Sequence, residues 1–309
     1  MHNDTRVTAC IPHFRCQRYL RRAVQSLLDQ SHRNMEVFVV NDGDPQPPWD
    51  VLADIRDPRL IRFNLQSNRG PYFATQVVLS ATSTPYFLIQ DADDWSSPRR
   101  VERLLDALQR DRSDLAVSAE PQFLEHPSGS LVVDVRWRKD SRKPDDGNFI
   151  VHHRLTPSYK YRAPHHGLFR TGSLRAIGGY YCGLRISYDT LLPNLILMMG
   201  RISHVPDPLY FRQLRPESLT HGSSTGIGSA NATRESAIQR HLYRSCFYYY
   251  QFFKAGRLTL SQLTACIRAV CAANITPAEH RDLIVERNRL SALLLQHHAS
   301  GRAGKRIAL

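Results

Sequence analysis

The chain has 309 residues, 42% hydrophobic and 22% charged, the proportions of a globular protein long enough for one large α/β unit and an appendage. Its formal net charge of +13 calls for an anionic partner. Only five of the 41 basic residues are Lys, and the bases are scattered rather than gathered into a patch, so nucleic acid is disfavoured. No run reaches the roughly 18 apolar residues of a membrane span. The six cysteines show neither a CxxC pair nor zinc spacing, which reads them as reduced core thiols. The start, Met1-His-Asn-Asp-Thr-Arg, has no apolar leader, and the expected location is the cytoplasm.

In chain order, residues 7–11 predict a strand closed by Pro12, and 19–30 place Leu20, Ala23, Val24, Leu27 and Leu28 at helical spacing. An unbroken apolar run over 36–40 is a second strand, ending in the acidic turn Asn41-Asp42-Gly43-Asp44. Four prolines fall in 45–58, around a short helical piece at 51–55. A third strand follows over 59–65, a turn at 68–70, a helix over 72–81 and a strand over 86–89. Strands alternating with helices at this spacing predict a doubly wound, mainly parallel sheet, whose ligands bind beyond the carboxyl ends of the strands.

The fourth strand breaks into Asp91, Asp93 and Asp94. Asp91 and Asp93 flank a small Ala, so both can approach one hard cation, Mg²⁺ or Mn²⁺, that takes its remaining ligands from phosphates. The competing reading makes the acids caps of a helix starting near Ser97-Pro98. A helix over 99–108 and a strand over 115–119 follow. Over 125–164 the pattern degrades into the kind of long excursion that carries acceptor specificity or a lid. Order returns with His165-His166-Gly167, a helix over 188–199 and one strand-like piece over 202–212. Gly222 to Gly228 reads as a linker, and 234–254, 261–273 and 277–297 as three helices. The aromatic run Phe247-Tyr-Tyr-Tyr-Gln-Phe-Phe253 is expected to pack the helices onto the rest; a membrane-surface or homodimer face is the alternative.

With these residues in hand the chain resembles the family 2 glycosyltransferases, inverting nucleotide-sugar enzymes with the GT-A fold, a Rossmann-like sheet flanked by helices. The matching text is Val7-Thr-Ala-Cys-Ile-Pro-His-Phe14, Glu36-Val-Phe-Val-Val-Asn-Asp-Gly43, Asp57-Pro-Arg59, Asn68-Arg-Gly70 and Gln90-Asp-Ala-Asp-Asp94. A weaker trace runs through Leu168-Phe-Arg170, Ile177-Gly-Gly-Tyr180, Ser187-Tyr-Asp189 and the stretch 212–220. The resemblance implies a catalytic region over 1–228, with a nucleotide-sugar half at 1–120 and an acceptor half at 121–228. A helical region over 229–300 and a disordered tail at 301–309 complete the expected division.

It also implies roles. Asp42 accepts from the imide N3–H of uracil or thymine, Pro12 and Phe14 lie along the nucleoside, Asp91 sits near ribose and metal, and Asp93 sits on the metal. Asp189 is the general base that deprotonates an acceptor hydroxyl, and Asp94 a supporting acid or cap. The chain departs from the pattern where Tyr188 replaces a Glu, and where Ala74-Thr75-Gln76 lacks a basic residue for which Arg69 is the substitute. His165, His166 and His221 are candidates for contact with acceptor, diphosphate or metal.

The expected reaction moves a sugar from a UDP- or dTDP-sugar to a hydroxyl of a glycan, a lipid-linked carrier or a small natural product; the lipid case would add peripheral membrane contact. A sugar nucleotidyltransferase would want a Gly-rich phosphate loop after the first strand, where Pro12-His-Phe-Arg15 stands. A basic membrane- or nucleic-acid-binding module on a degenerate transferase fold is the non-enzyme alternative, opposed by the intact Asp42, Asp91, Asp93 and Asp189. A dehydrogenase is disfavoured because no G-x-G-x-x-G follows the first strand.

Overall fold

Alternating apolar runs and amphipathic stretches build a sheet covered on both faces. The computed structural model describes residues 5–125, 131–133, 149–150, 155–158, 165–215, 226 and 228–306. Strand β1 (Val7–His13) leads to α1 (Gln17–Leu28), β2 (Met35–Asn41), a 3-10 turn at Asp50–Leu52 and β3 (Leu60–Asn64). Then come α2 (Pro71–Ala81), β4 (Tyr86–Ile89), the short β5 (Trp95–Ser96), α3 (Arg100–Arg110) and β6 (Leu115–Ala119). Strands β7 (Gln122–Glu125), β8 (Leu131–Val133) and β9 (Phe149–Ile150) precede β10 (Leu168–Arg170), α4 (Thr171–Ala176) and α5 (Tyr188–Met199). Strands β11 (Ile202–Pro208) and β12 (Tyr210–Leu214) and the helices α6 (Ala230–Lys254), α7 (Leu260–Ala273) and α8 (Pro277–Arg306) end the chain.

The main sheet has the order β3-β2-β1-β4-β10-β6-β11-β9. Pairs β1–β2, β1–β4, β2–β3 and β6–β11 are parallel; β10 runs antiparallel to β4 and β6, and β9 to β11. The chain steps from β1 out to β3 and then returns to the other side of β1, so its winding reverses between β1 and β4. Ligand crevices of doubly wound sheets open at such a point.

Side chains alternate across each strand and split the core in two. Val7, Ala9, Ile11, Val37, Val39 and Leu88 pack under α1 and α3. Cys10, Phe38, Val40, Phe87 and Ile89 face α2, α4 and α5, in one continuous cluster with Tyr243, Phe247, Leu263, Ile267 and Leu290 of the C-terminal helices. The fully buried rings of Phe38 and Phe87 are each worth about 1.5–3 kcal/mol by area.

One expectation is corrected here. The strand-like piece at 202–212 is two strands: β11 stays in the main sheet, while β12 joins a second sheet of order β5-β12-β7-β8. Pro206 and Pro208 deprive the ladder of donors, and the β11–β6 register slips between Val205 and Pro208. Helix α8 ends at Arg306.

The aromatic run packs largely as expected. Phe247 is buried and Tyr249, Tyr250 and Phe253 lie against the core, while Tyr248 projects outward. Five of the six free cysteines are buried, Cys266 being half-buried. Among the described residues no helix is long and apolar enough to cross a membrane.

Candidate active site

The carboxyl ends of β2, β1 and β4 lie side by side at that reversal point. At the end of β2, Asp42 is buried and its two carboxylate oxygens accept the backbone N–H groups of Arg69 and Gly70, each at 2.8 Å. Burial pushes its pKa up to about 6 against the opposing pull of those two donors. The turn needs a glycine next door. Gly43 has φ +66°, and a Cβ there would lie 2.3 Å from the backbone of Ser67 and Asn68.

Loop 66–70 is in turn held by α8. Buried Glu286 accepts the N–H of Gln66 at 3.0 Å and pairs with Arg289, whose Nη1 also donates to the Asn64 carbonyl at 3.3 Å. The Arg69 side chain pairs with Asp282 at 2.8 Å and lies over Phe73, so it is turned toward the C-terminal helices. Pro12 pairs within β1, and beyond the strand Phe14 is 37% exposed and free of the core, with the Arg15 guanidinium over its ring.

The β4 acids sit in an ionic lattice. Carboxylate oxygens of Asp91, Asp93 and Asp94 lie within 4.8 Å of one another. None caps a helix, and α3 begins at Arg100 without a side-chain cap. Asp94 is a latch on β12, accepting from the Tyr210 hydroxyl at 2.6 Å and the Gln213 N–H at 2.7 Å. Burial and the neighbouring Asp93 and Asp91 push its pKa up to about 7. Asp93 pairs with Arg215 at 2.5 Å, and burial followed by Asp91 raises its pKa. Asp91 is 40% exposed at the side chain and meets His166 Nε2 at 3.0 Å.

His166 is the surprise of this region. Its Nδ1 faces Glu120 at 3.2 Å, so one buried ring bridges two carboxylates, which requires both nitrogens to carry protons. Burial alone would lower its pKa, but Glu120 and Asp91 outweigh that and push it up to about 10. The ring also stacks on Tyr210 at 4.4 Å, and fully buried Arg100 donates to the carbonyls of Ile89 and His166 at 3.0 and 2.9 Å. His165, beside it, is lowered to about 4 by burial and the His166 charge, and is the neutral imidazole of the pair. His221 lies outside the described residues.

Asp189 opens α5 behind Ser187, which adopts φ +66°. Its Oδ1 accepts the Thr190 N–H at 2.9 Å and its own N–H donates to the Tyr72 hydroxyl at 3.4 Å. It is close enough that its charge and that of Asp91 both bear on His165 and Tyr72. The unexpected Tyr188 is fully buried and donates its hydroxyl to the Gly179 carbonyl at 2.9 Å. Gln76, in the other departure, accepts the Tyr180 N–H at 2.6 Å. Both replacements therefore serve packing around the 178–180 turn.

Sequence reading missed Arg100, Glu120, Tyr210 and Arg215. Arg100 follows Arg99 at a helix start and reads as a solvent face; Arg215 lies in the trace over 212–220 that signalled only a weak likeness.

Three carboxylates offering hard oxygen donors fit a divalent cation of the Mg²⁺ or Mn²⁺ type. Asp94 uses both oxygens on β12. Asp91 and Asp93 each keep one oxygen that His166 and Arg215 do not use.

Acids at the reversal point of a mainly parallel sheet, with helices on both faces and three more at the C-terminus, define the GT-A class of fold. The computed structure superposes on solved S. aureus TarS 1–349 in complex with UDP-GlcNAc with a TM-score of 0.56 at 16% identity, covering 97% of this chain and 92% of that one. The TarS 1–349 complex with UDP gives 0.53 at 15% identity. The chain belongs to glycosyl transferase family 2, whose family model matches residues 8–178. It is 28% identical over 232 residues to a chondroitin synthase of Escherichia coli, covering 74% of this chain and 31% of that protein. It is 25% identical over 257 residues to the hyaluronan synthase of Pasteurella multocida, covering 80% and 24%. The match spans under a third of the length of either relative.

Proposed function

We propose that the protein is an inverting glycosyltransferase that moves a sugar from a UDP- or dTDP-sugar to an acceptor hydroxyl, with Mn²⁺ or Mg²⁺ at the β4 acids. The observation that carries this reading is the pairing of two acid sites at one crevice. Asp42 stands at the end of β2, and Asp91 and Asp93 stand beyond β4, with β1 between. A nucleoside diphosphate has a base and a charged tail to match that pair. TarS structures with UDP and UDP-GlcNAc support a uracil nucleotide, and relatives that are chondroitin and hyaluronan synthases support a growing glycan as acceptor.

In this reading Asp42 accepts the imide N–H of the base, its carboxylate being pre-aimed by Arg69 and Gly70. Phe14, exposed and backed by Arg15, stacks on the ring. Asp91 and Asp93 hold the metal, which when bound neutralises charge building on the diphosphate. Asp189 takes the proton of the acceptor hydroxyl as that oxygen attacks the anomeric carbon from the face opposite the diphosphate, and a single displacement inverts the configuration. His166 acts through Asp91: as a fixed cation it keeps that carboxylate ionised. Arg69 supplies its main-chain N–H to the Asp42 latch rather than a basic contact to the donor. His165, neutral and near both Asp91 and Asp189, lines the sugar side. By extent, 1–228 forms the catalytic region and 229–300 its helical support.

Calorimetric titration of UDP, dTDP and GDP with and without Mn²⁺, on wild type and Asp93→Ala, tests the donor half. Metal-dependent binding of UDP or dTDP that Asp93→Ala abolishes is the expected result; no nucleotide binding under either condition overturns it.

A further inference from the structure

We propose that Arg215 is the chain's own counter-ion for Asp93, which closes the acid cluster to a lone divalent cation and yields only when a nucleoside diphosphate arrives together with its metal. The inference rests on the donor and metal reading above and goes beyond it in assigning an order and a coupling to the two ligands.

Asp93 is the acid that the reading places directly on the metal, yet its Oδ2 is taken by Arg215 Nε at 2.5 Å, with side chains only 14% and 15% exposed. The guanidinium also lies 6.0 Å from the centre of the Tyr19 ring, and Tyr19 is tied to Glu125 at 2.8 Å. Arg215 follows β12 directly, two residues beyond the Gln213 N–H that bonds Asp94. The cation is thus delivered by a strand already fastened to the acid cluster.

Charge balance gives the pair its meaning. Asp91, Asp93, Asp94 and Glu120 face His166, Arg100, Arg212 and Arg215, and each of these cations either bonds these acids or feels their charge through a shared buried surround. Arg22, whose Nη2 donates to the Asp93 carbonyl at 3.0 Å and which feels the charge of Asp94 and Asp93, adds a fifth cation, so the acids are matched before any ligand arrives. A bare divalent ion on the free oxygens of Asp91 and Asp93 meets the Arg215 charge on the other oxygen of Asp93, and relieving that repulsion means driving Arg215 off and leaving its charge without a partner, the costly half of breaking a buried ion pair. A metal that comes with a diphosphate brings new anionic oxygens, so the displaced guanidinium has somewhere to go. Metal and nucleotide should then strengthen each other, and by linkage they must do so by the same factor.

The test is Mn²⁺ binding to the full chain, followed by the electron paramagnetic resonance signal of free Mn²⁺, with and without UDP. Wild type, Arg215→Gln and Arg215→Lys are compared. In wild type, UDP is expected to tighten Mn²⁺ binding by about tenfold or more, within the usual range of coupling between sites. Arg215→Gln should bind Mn²⁺ alone about tenfold tighter than wild type and lose most of that coupling, because the competing buried cation is gone. Arg215→Lys keeps the charge and should stay near wild type.

If Arg215→Gln binds Mn²⁺ alone no tighter than wild type while UDP with Mn²⁺ still binds, the Arg215 inference is overturned and the donor reading survives. If wild type binds Mn²⁺ equally well with and without UDP, the inference falls on wild type alone, whatever the variants do. If UDP binds under no condition, both readings fall together.

Discussion

Asp42, buried, and Asp93, half-buried, are acids beyond two strands separated only by β1, and they are secured in opposite ways. Asp42 is gripped by main-chain N–H groups of a neighbouring loop, donors that neither titrate nor leave. Asp93 is held by a side-chain cation 122 residues away in sequence, inside a lattice of charges that depends on every member. A main-chain grip suits a base, which presents one fixed pattern of donors and acceptors. A charge lattice suits a diphosphate and a metal, which must enter and leave on every turnover.

The largest effect expected lies outside both grips. Asp189→Asn should lower kcat by about 10²–10⁴-fold, the contribution of a general base, and leave UDP affinity near wild type; steady-state rates beside a UDP titration check this. An equal loss in both would move Asp189 to the donor side.

Next comes the lattice itself. His166→Ala leaves buried Glu120 and the 40% exposed Asp91 without their shared cation and, because water screens the Asp91 side, should cost about 3 kcal/mol of stability, the low end for a broken buried pair, read from urea unfolding. A loss below 1 kcal/mol would show the lattice to be loose.

The Asp42 grip should break more gently. Gly43→Ala drives a Cβ into the backbone of Ser67 and Asn68 at a positive φ and should cost about 1–3 kcal/mol, together with weaker UDP binding. An unchanged melting temperature would contradict that close approach.

The smallest effect is a pH dependence with opposite signs for stability and binding. The folded pKa of Asp42, about 6, lies above the value of about 4 in an unfolded chain. The native state thus binds the extra proton in that window, and wild type should lose stability relative to Asp42→Asn as pH rises from about 4 to about 6. Nucleotide-sugar binding should instead gain over the same interval, because only the ionised carboxylate accepts the imide N–H without competition. Titrations of wild type and Asp42→Asn across the window read both; parallel profiles for the two proteins would remove Asp42 from base recognition.

The sheet was legible because its signals are local. Unbroken apolar runs such as Val37–Val40 have one comfortable solution, and the acids that follow β2 and β4 are visible as abrupt ends to those runs. What surrounds the acids was less legible, since Arg100, Glu120 and Arg215 are charged residues that pattern reading sends to the surface, and His166 was read as a contact to ligand or acceptor rather than as a bridge between Asp91 and Glu120. Each is buried only because the others are, and no stretch of sequence displays that mutual dependence. The fate of 202–212 shows the same limit: its apolar spacing was read as strand, but two prolines and a second sheet decided where that strand ended. The departures at Tyr188 and Gln76 became intelligible only once both were seen to pack around the 178–180 turn.

The bond from Gln66 to Glu286 spans 220 residues, and that distance has a meaning in time. A ribosome adds about 5–20 residues per second, so the helix that steadies the nucleotide loop emerges some 10–40 seconds after the loop itself. Through that interval the first half of the chain can form its sheet, but the loop carrying the N–H groups of Arg69 and Gly70 lacks its outer support. A nascent chain stopped short of α8 would therefore carry the whole acid cluster and still hold its nucleotide loop unbraced, so a helix made some 220 residues later completes the first site to be built.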